Sequence, residues 1–141
     1  MTQFIPIQKL HAEAVLPTRA HLDDAGLDLY ALEEMKIHPR GGTVARTGVA
    51  VALPQHHVGM IADRSSLAKK GLKTAGGIID AGYRGEIQVV LWNLSSEEIR
   101  INKGERIAQL LILPIATPAV SEVLALDQTQ RGDKGFGSTG K

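Results

Sequence analysis

Cysteine is absent from this sequence of 141 residues. Disulfides and thiolate metal centres are therefore excluded, and a reducing, cytoplasmic setting is compatible with that absence. Charge of either sign is not in excess: 16 Lys and Arg stand against 15 Asp and Glu, a formal net charge of +1. A general attraction to nucleic acid or to a charged membrane is not indicated, so neither is expected as a partner. No apolar run approaches the roughly 20 residues of a spanning helix. The opening MTQFIPIQKL likewise has no signal-peptide pattern. Aromatic residues are scarce, limited to Phe4, Tyr30, Tyr83, Trp92 and Phe136.

What remains is a chain of Val, Ile, Leu and Ala punctuated by 15 glycines and 6 prolines. Many short strands suit that composition better than long helices. FIPIQKL, LDLYA, TVARTGVAVALP, VGMIA, GEIQVVLWNL, IRI, RIAQLLILP and VSEVLAL all read as extended runs. In the third, Val49, Val51 and Leu53 share a face and Pro54 ends the run. GEIQVVLWNL becomes apolar on both faces from Val89 onward, the pattern of a buried strand. SSLAKKG alone reads as helix, about two turns at most. Its expected cap is Ser65 or Ser66 and its expected stop is Gly71. The expected architecture is one all-β domain, a β-sandwich, jelly roll or barrel with one short helix, over residues 1–129. A flexible arm without apolar periodicity follows at 130–141.

Several stretches carry chemistry beside a plainer structural reading. In ADRSSLAKKG, Arg64 precedes a helix that starts with serines. Free N–H groups, a guanidinium and two hydroxyls make an anion cradle, or simply a capped helix beside a surface arginine. GGIIDAGYRGEIQVV reads as a β-hairpin with a loop. Asp80 in its turn either bonds local backbone or offers an acceptor at a pocket mouth, and Tyr83 is either core or a flat wall for a ring. Asp28 inside a strand either faces solvent or meets the water shell of a magnesium ion. Gln109 interrupts the apolar IAQLLIL and needs a hydrogen-bond partner. His56 and His57, adjacent in sequence, read as surface. The terminal GFGSTGK nearly matches a phosphate-binding loop but lacks the flanking strand and helix.

Taken together and in order, five stretches resemble the trimeric deoxyuridine triphosphatases, the dUTPases: DAGLDLYA, RSSLAKKG, GGIIDAGYRGEI, GERIAQLL and RGDKGFGSTG. The resemblance runs from Asp24 nearly to the last residue. It implies a jelly-roll-like β-barrel forming a homotrimer, with active sites at subunit interfaces and a C-terminal arm that crosses to a neighbouring subunit as a lid. It implies hydrolysis of dUTP to dUMP and pyrophosphate, with Mg2+, by in-line attack of water on the α-phosphorus. That activity keeps uracil out of DNA and supplies dUMP for thymidylate synthesis.

By the same resemblance, Asp80 orients the water and meets the sugar 3′-hydroxyl, and Tyr83 packs under the deoxyribose. Thr74, Gly77, Ile78, Ile79 and Gln88 surround uracil, and Phe136 stacks on it. Arg64, Ser65, Ser66 and Gln109 hold phosphate oxygens, with Arg131, Gly137 and Ser138 on the terminal phosphate. Asp28 touches magnesium through water. Two positions depart from the family pattern: Lys134 stands where the arm usually has glycine, and Thr74 where many relatives have asparagine. The alternatives are a non-catalytic dUTP-binding regulator and a dCTP deaminase of the same fold. Such deaminases carry a catalytic glutamate where this chain has Val90.

Overall fold

The structure, a computed structural model, describes residues 4–137. Eleven strands and one helix follow one another: β1 (Ile7–Lys9), β2 (Leu27–Tyr30), β3 (Met35–Ile37), β4 (Gly42–Arg46), β5 (Val49–Val51), β6 (His57–Ala62), α1 (Ser65–Ala68), β7 (Leu72–Ala75), β8 (Ile78–Ile79), β9 (Gln88–Asn93), β10 (Ile99–Ile101) and β11 (Arg106–Pro114). A four-stranded sheet runs β2-β11-β6-β8, and a three-stranded sheet runs β4-β9-β7. The pairs β1-β5 and β3-β10 complete the layers, and every pairing is antiparallel. The all-β architecture expected from the composition, and the jelly-roll-like arrangement that the resemblance implies, are the ones observed.

Alternation decides what each strand buries. Leu27 and Leu29 of β2, Ile61 of β6 and Leu110 of β11 meet Ala45 of β4, Val89 and Leu91 of β9 and Leu72 of β7 in one core. Two polar groups are buried with them, and both are satisfied. Thr47 donates to the Ile87 carbonyl at 2.6 Å, and the Asn93 amide donates to the carbonyls of Ile37 at 3.0 Å and Glu97 at 2.7 Å. An unmet buried amide costs about 1–3 kcal/mol, so Asn93 fixes where β9 ends.

Four expectations differ from what is observed. GEIQVVLWNL is not buried on both faces: Val89, Leu91 and Asn93 point inward, whereas Trp92 is 44% exposed and Val90 half-buried. Its second apolar face, beside Val44, is uncovered within one chain. The GGIIDAGYRGEIQVV hairpin is not a hairpin of that kind. The antiparallel partner of β9 is β7, whereas Ile78 and Ile79 pair with Met60 and Gly59 of β6 in the other sheet. The reason lies in Gly76 and Gly77, with φ of 72° and 92°. A Cβ on Gly77 would sit 2.9 Å from that of Ile61. These left-handed residues end β7 and carry the chain across to the other sheet. The helix has four residues, Arg64 occupies its N-cap, and no side chain caps it. Finally, VSEVLAL forms no strand: Val120, Leu124 and Leu126 are fully or largely exposed. With each main-chain group needing a partner, a strand there requires an edge that this chain does not bring to it.

Among the described residues, no helix is long and apolar enough to cross a membrane.

Candidate functional site

Strand β6 leads out of the core into Asp63 and Arg64, and α1 begins immediately after. Arg64 is partly buried, and Ser65 and Ser66 lie exposed on the first turn. Across from them, β2 brings up Asp28, paired in register with Gln109 of β11. The Asp28 carboxylate lies 3.9 Å from the Arg64 guanidinium and 3.7 Å from that of Arg106. Four of the groups that the family resemblance assigns to phosphates and metal, Asp28, Arg64, Ser65 and Ser66, thus share one corner. Gln109 joins them by donating its amide to the Asp63 carbonyl at 2.8 Å. Gly26 makes room for it, because a Cβ there would overlap the Gln109 side-chain oxygen.

The second cluster lies where β8 gives way to β9. Gly77, Ile78, Ile79, Asp80, Tyr83, Glu86 and Gln88 line one open depression of about 260 Å³. Ile79 is anchored in the core while Ile78 and Asp80 face outward, as alternation in a strand requires. The Asp80 carbonyl accepts the Tyr83 N–H at 3.0 Å and closes the turn. The Asp80 carboxylate has no hydrogen-bond or ion-pair partner among the described residues. Tyr83 lays its ring over Gly85 and donates its hydroxyl to the Glu86 carbonyl at 2.9 Å. The Thr74 side chain is turned toward Asp63 instead of this depression, at 2.7 Å.

In the arm, Arg131 folds back on Lys134, its Nε donating to that carbonyl at 2.8 Å. Phe136 is fully exposed in the left-handed region at φ 49°, followed by Gly137 at 89°. Lys134 is not among the residues with positive φ, so lysine in place of glycine strains nothing there. Ser138 lies outside the described residues.

Sequence reasoning passed over Asp63, Glu86, Arg46 and Arg106. Asp63 finds its side-chain partners 10 and 11 residues away, and Glu86 and Arg46 find each other across 40, distances that only the topology closes. Glu86 accepts from Arg46 at 3.0 Å and from the Gly48 N–H at 2.9 Å, fastening the Asp80 turn to the β4–β5 connection. Burial alone would raise the Glu86 carboxyl, but Arg46 and the Gly48 N–H outweigh it and hold it below its ordinary value. Burial likewise opposes ionisation of Asp63, and hydrogen bonds from Lys73 and Thr74 outweigh it, so that carboxyl is lowered too. A carboxyl lowered in the folded state stabilises the fold above its unfolded pKa, and the gain fades as pH falls through the folded one. Thermal melts should therefore give a constant Tm from neutrality down to about pH 5, then a decline below the ordinary carboxylate range near pH 4. Glu86→Gln should flatten that decline.

A family model for dUTPase matches residues 12–140. The chain belongs to the dUTPase family. Among curated dUTPase relatives, the deoxyuridine 5'-triphosphate nucleotidohydrolase of Corynebacterium glutamicum is 49% identical over 141 residues, covering 97% of this chain and 95% of that protein. The enzyme of the same name from Clostridium novyi is 43% identical over 137 residues, covering 95% and 96%. Among solved dUTPase structures, a mutant of the Staphylococcus bacteriophage 80alpha enzyme with dUpNHpp superposes with a TM-score of 0.94 at 32% identity, covering 99% of this chain and 100% of that one. A mutant dUTPase from phage phi11 of S. aureus, reported with a structural Mg(II) ion, superposes at 0.82 with 29% identity over 87% of this chain and 98% of that one.

For this dUTPase the metal question turns on donors. No group of three or more His, Cys, Asp or Glu that could hold a metal lies among the described residues. A single carboxylate flanked by two guanidiniums fits contact with a hydrated ion, not a protein-built cage. Magnesium bound mainly by phosphates and water has that requirement.

Proposed function

We infer that this chain hydrolyses dUTP to dUMP and pyrophosphate, keeping uracil out of DNA and supplying dUMP for thymidylate synthesis. The observation that carries the reading is family membership over nearly the whole chain, joined to a fold shared with a phage dUTPase that holds dUpNHpp.

The reaction begins with a water placed by the Asp80 carboxylate, in line with the α-phosphorus. Its oxygen bonds to that phosphorus, the bridging bond to the β-phosphate breaks, and pyrophosphate leaves while the water's proton passes to Asp80 or to solvent. A carboxylate is a weak base, so placing the water matters more than taking its proton. Tyr83 lies where a deoxyribose packs and a ribose 2′-hydroxyl collides. Backbone around Gly77, Ile78 and Ile79, with Gln88, reads the uracil edge and leaves no room for a thymine methyl group. Thr74 borders the same segment.

Arg64, Ser65, Ser66 and the remaining N–H of Gln109 grip phosphate oxygens at the start of α1. Arg131, Gly137 and Ser138 close from the arm, with Phe136 stacked on the base. Asp28 would hold a Mg2+ through water, and the ion, when bound, would supply charge stabilisation for the leaving pyrophosphate.

The depression beside Asp80 is lined by none of the phosphate-side groups Asp28, Arg64, Ser65, Ser66 and Gln109, which supports a site assembled between copies, a homotrimer. The uncovered apolar surface agrees: Val44, Trp92, Leu94, Val120, Leu124 and Leu126 all stay exposed in a single chain. Residues 1–129 form the body in this reading and 130–141 the crossing arm. A cytoplasmic place of work suits a chain without cysteine.

The test is pyrophosphate release from dUTP, dCTP, dTTP and UTP with magnesium. Turnover of dUTP alone is expected. Uridine nucleotide formed from dCTP, or tight dUTP binding without pyrophosphate, would contradict the reading.

A further inference from the structure

We propose that Asp63 is a positioning residue for this reaction, holding the phosphate-side segment Arg64–Ser66 in place against β7 and β11. The inference rests on the reading of the site given above.

Hydrogen bonds from three residues converge on Asp63. One carboxylate oxygen accepts from the Thr74 N–H and from the Thr74 hydroxyl, each at 2.7 Å. The other accepts from the Lys73 ammonium at 2.6 Å. The main-chain carbonyl accepts from Gln109 at 2.8 Å. The side chain is about three-quarters covered, so these bonds are sheltered in part from competing water.

The neighbouring segment has few anchors of its own. Helix α1 is a single turn with no side-chain cap and no fully buried residue. So short a helix has no stability in isolation. Its first carbonyl, that of Arg64, receives the N–H groups of Leu67 and Ala68. Where Arg64 sits therefore decides where the turn sits, and Arg64 is bonded covalently to Asp63. Two residues earlier, the Ile61 N–H donates to the Gly77 carbonyl at 2.7 Å. Ile61 in β6 and Asp63 just past its end thus bracket the Gly76–Gly77 crossover, and the Asp80 segment follows directly.

Thr74 takes its place in this arrangement. A hydroxyl has one proton to donate, and that of Thr74 goes to Asp63. Its N–H goes there as well. Thr74 therefore acts on the site through Asp63 and not as a donor to the base.

The experiment compares Asp63→Ala, Asp63→Asn, Thr74→Val and the Asp63→Ala/Thr74→Val double variant by kcat, KM and Tm with dUTP, and by the dUTP/dCTP ratio of kcat/KM. Ile37→Val, in the core on β3, serves as a destabilised comparison away from the site. Asp63→Ala is expected to lose about tenfold or more in kcat/KM, because small misplacements of phosphate-holding groups are costly. Asp63→Asn keeps an oxygen for Thr74 and should recover most of that loss. Thr74→Val should change the Asp63→Ala enzyme by less than about twofold, since coupled partners are non-additive, and should leave the dUTP/dCTP ratio unchanged.

Wild-type kinetics in Asp63→Ala would overturn the proposal. So would an equal loss in Ile37→Val, or a fall in the dUTP/dCTP ratio when Thr74→Val is added to Asp63→Ala. If Asp63→Ala does not fold, Asp63→Asn and Thr74→Val decide: the proposal then requires a reduced kcat/KM in Thr74→Val with an unchanged base preference. A wild-type chain that releases no pyrophosphate from dUTP overturns the underlying reading as well, whereas an active wild type beside an unaffected Asp63→Ala overturns the positioning role alone.

Discussion

Asp80→Asn is expected to lower kcat for dUTP by about 10²–10⁴-fold, the range associated with a lost water-positioning acid–base group. KM should change little, and Tm should stay where it was. The structure gives both halves of that expectation a physical basis. Asp80 sits at the exposed end of β8, and it is Ile79, not Asp80, that fixes the segment in the core. Its carbonyl closes the turn with Tyr83, and asparagine supplies the same carbonyl. The carboxylate itself has no partner among the described residues, so removing its charge leaves nothing unpaired behind. Surface substitutions of that kind move stability by less than about 0.5 kcal/mol.

For the reaction the change is larger. A carboxylate accepts through both oxygens, and an amide presents N–H donors in place of one of them. A sugar hydroxyl can still donate to the remaining oxygen, which keeps binding intact. A water that needs an acceptor on the other side loses it. Measured pyrophosphate release should therefore show the loss almost wholly in kcat. An Asp80→Asn enzyme retaining a third of wild-type kcat would remove Asp80 from the water-placing role. A collapse in Tm would instead mark it as structural.

How much of this was readable from the residues alone differs from element to element. The nearly continuous apolar run that became β11 and the alternation of β2 were legible, because strand period and composition agree there. The crossover at Gly76–Gly77 was not. A glycine pair between two apolar runs looks like a hairpin turn, and only the pairing partners of β8 show that the chain changes sheets. VSEVLAL misled for a related reason. Its residues are suited to a strand, but strand formation depends on an available edge, which composition does not encode. The candidate site divides the same way. Asp28, Arg64, Asp80 and Phe136 stand in ordered motifs, which is why they could be put forward as candidates from sequence. Asp63 and Glu86 contribute by holding segments together, through partners that become neighbours only after folding. Asp63 in particular reads in sequence as one more polar residue before an arginine.

A chain ending at Gln130 should fold as stably as the full one and yet lose about 10²–10⁴ in kcat/KM for dUTP. The stability half follows from the contacts of the missing segment. Arg131 bonds to Lys134, the Lys134 N–H returns to the Arg131 carbonyl at 3.3 Å, and the Gly132 N–H reaches only to Thr129. Phe136 is fully exposed. Among the described residues of the segment, the hydrogen bonds run only to one another and to Thr129, so their removal takes nothing from the core. The activity half follows from what those groups offer a nucleotide. A base stacked on an aromatic ring is worth about 1–3 kcal/mol, and hydrogen bonds from a guanidinium to a charged phosphate about 1.5–3 kcal/mol. Their sum, about 2.5–6 kcal/mol, corresponds to about two to four powers of ten at 1.4 kcal/mol for each. Phe136→Ala should account for the stacking share alone, about 5- to 150-fold. Lys134→Gly should matter little, because Lys134 already sits in an ordinary backbone region. Thermal melts and steady-state kinetics on these three variants separate the two halves. Full activity in the shortened chain would show that the terminal segment is no lid, and a lowered Tm would show that it is anchored to the body after all.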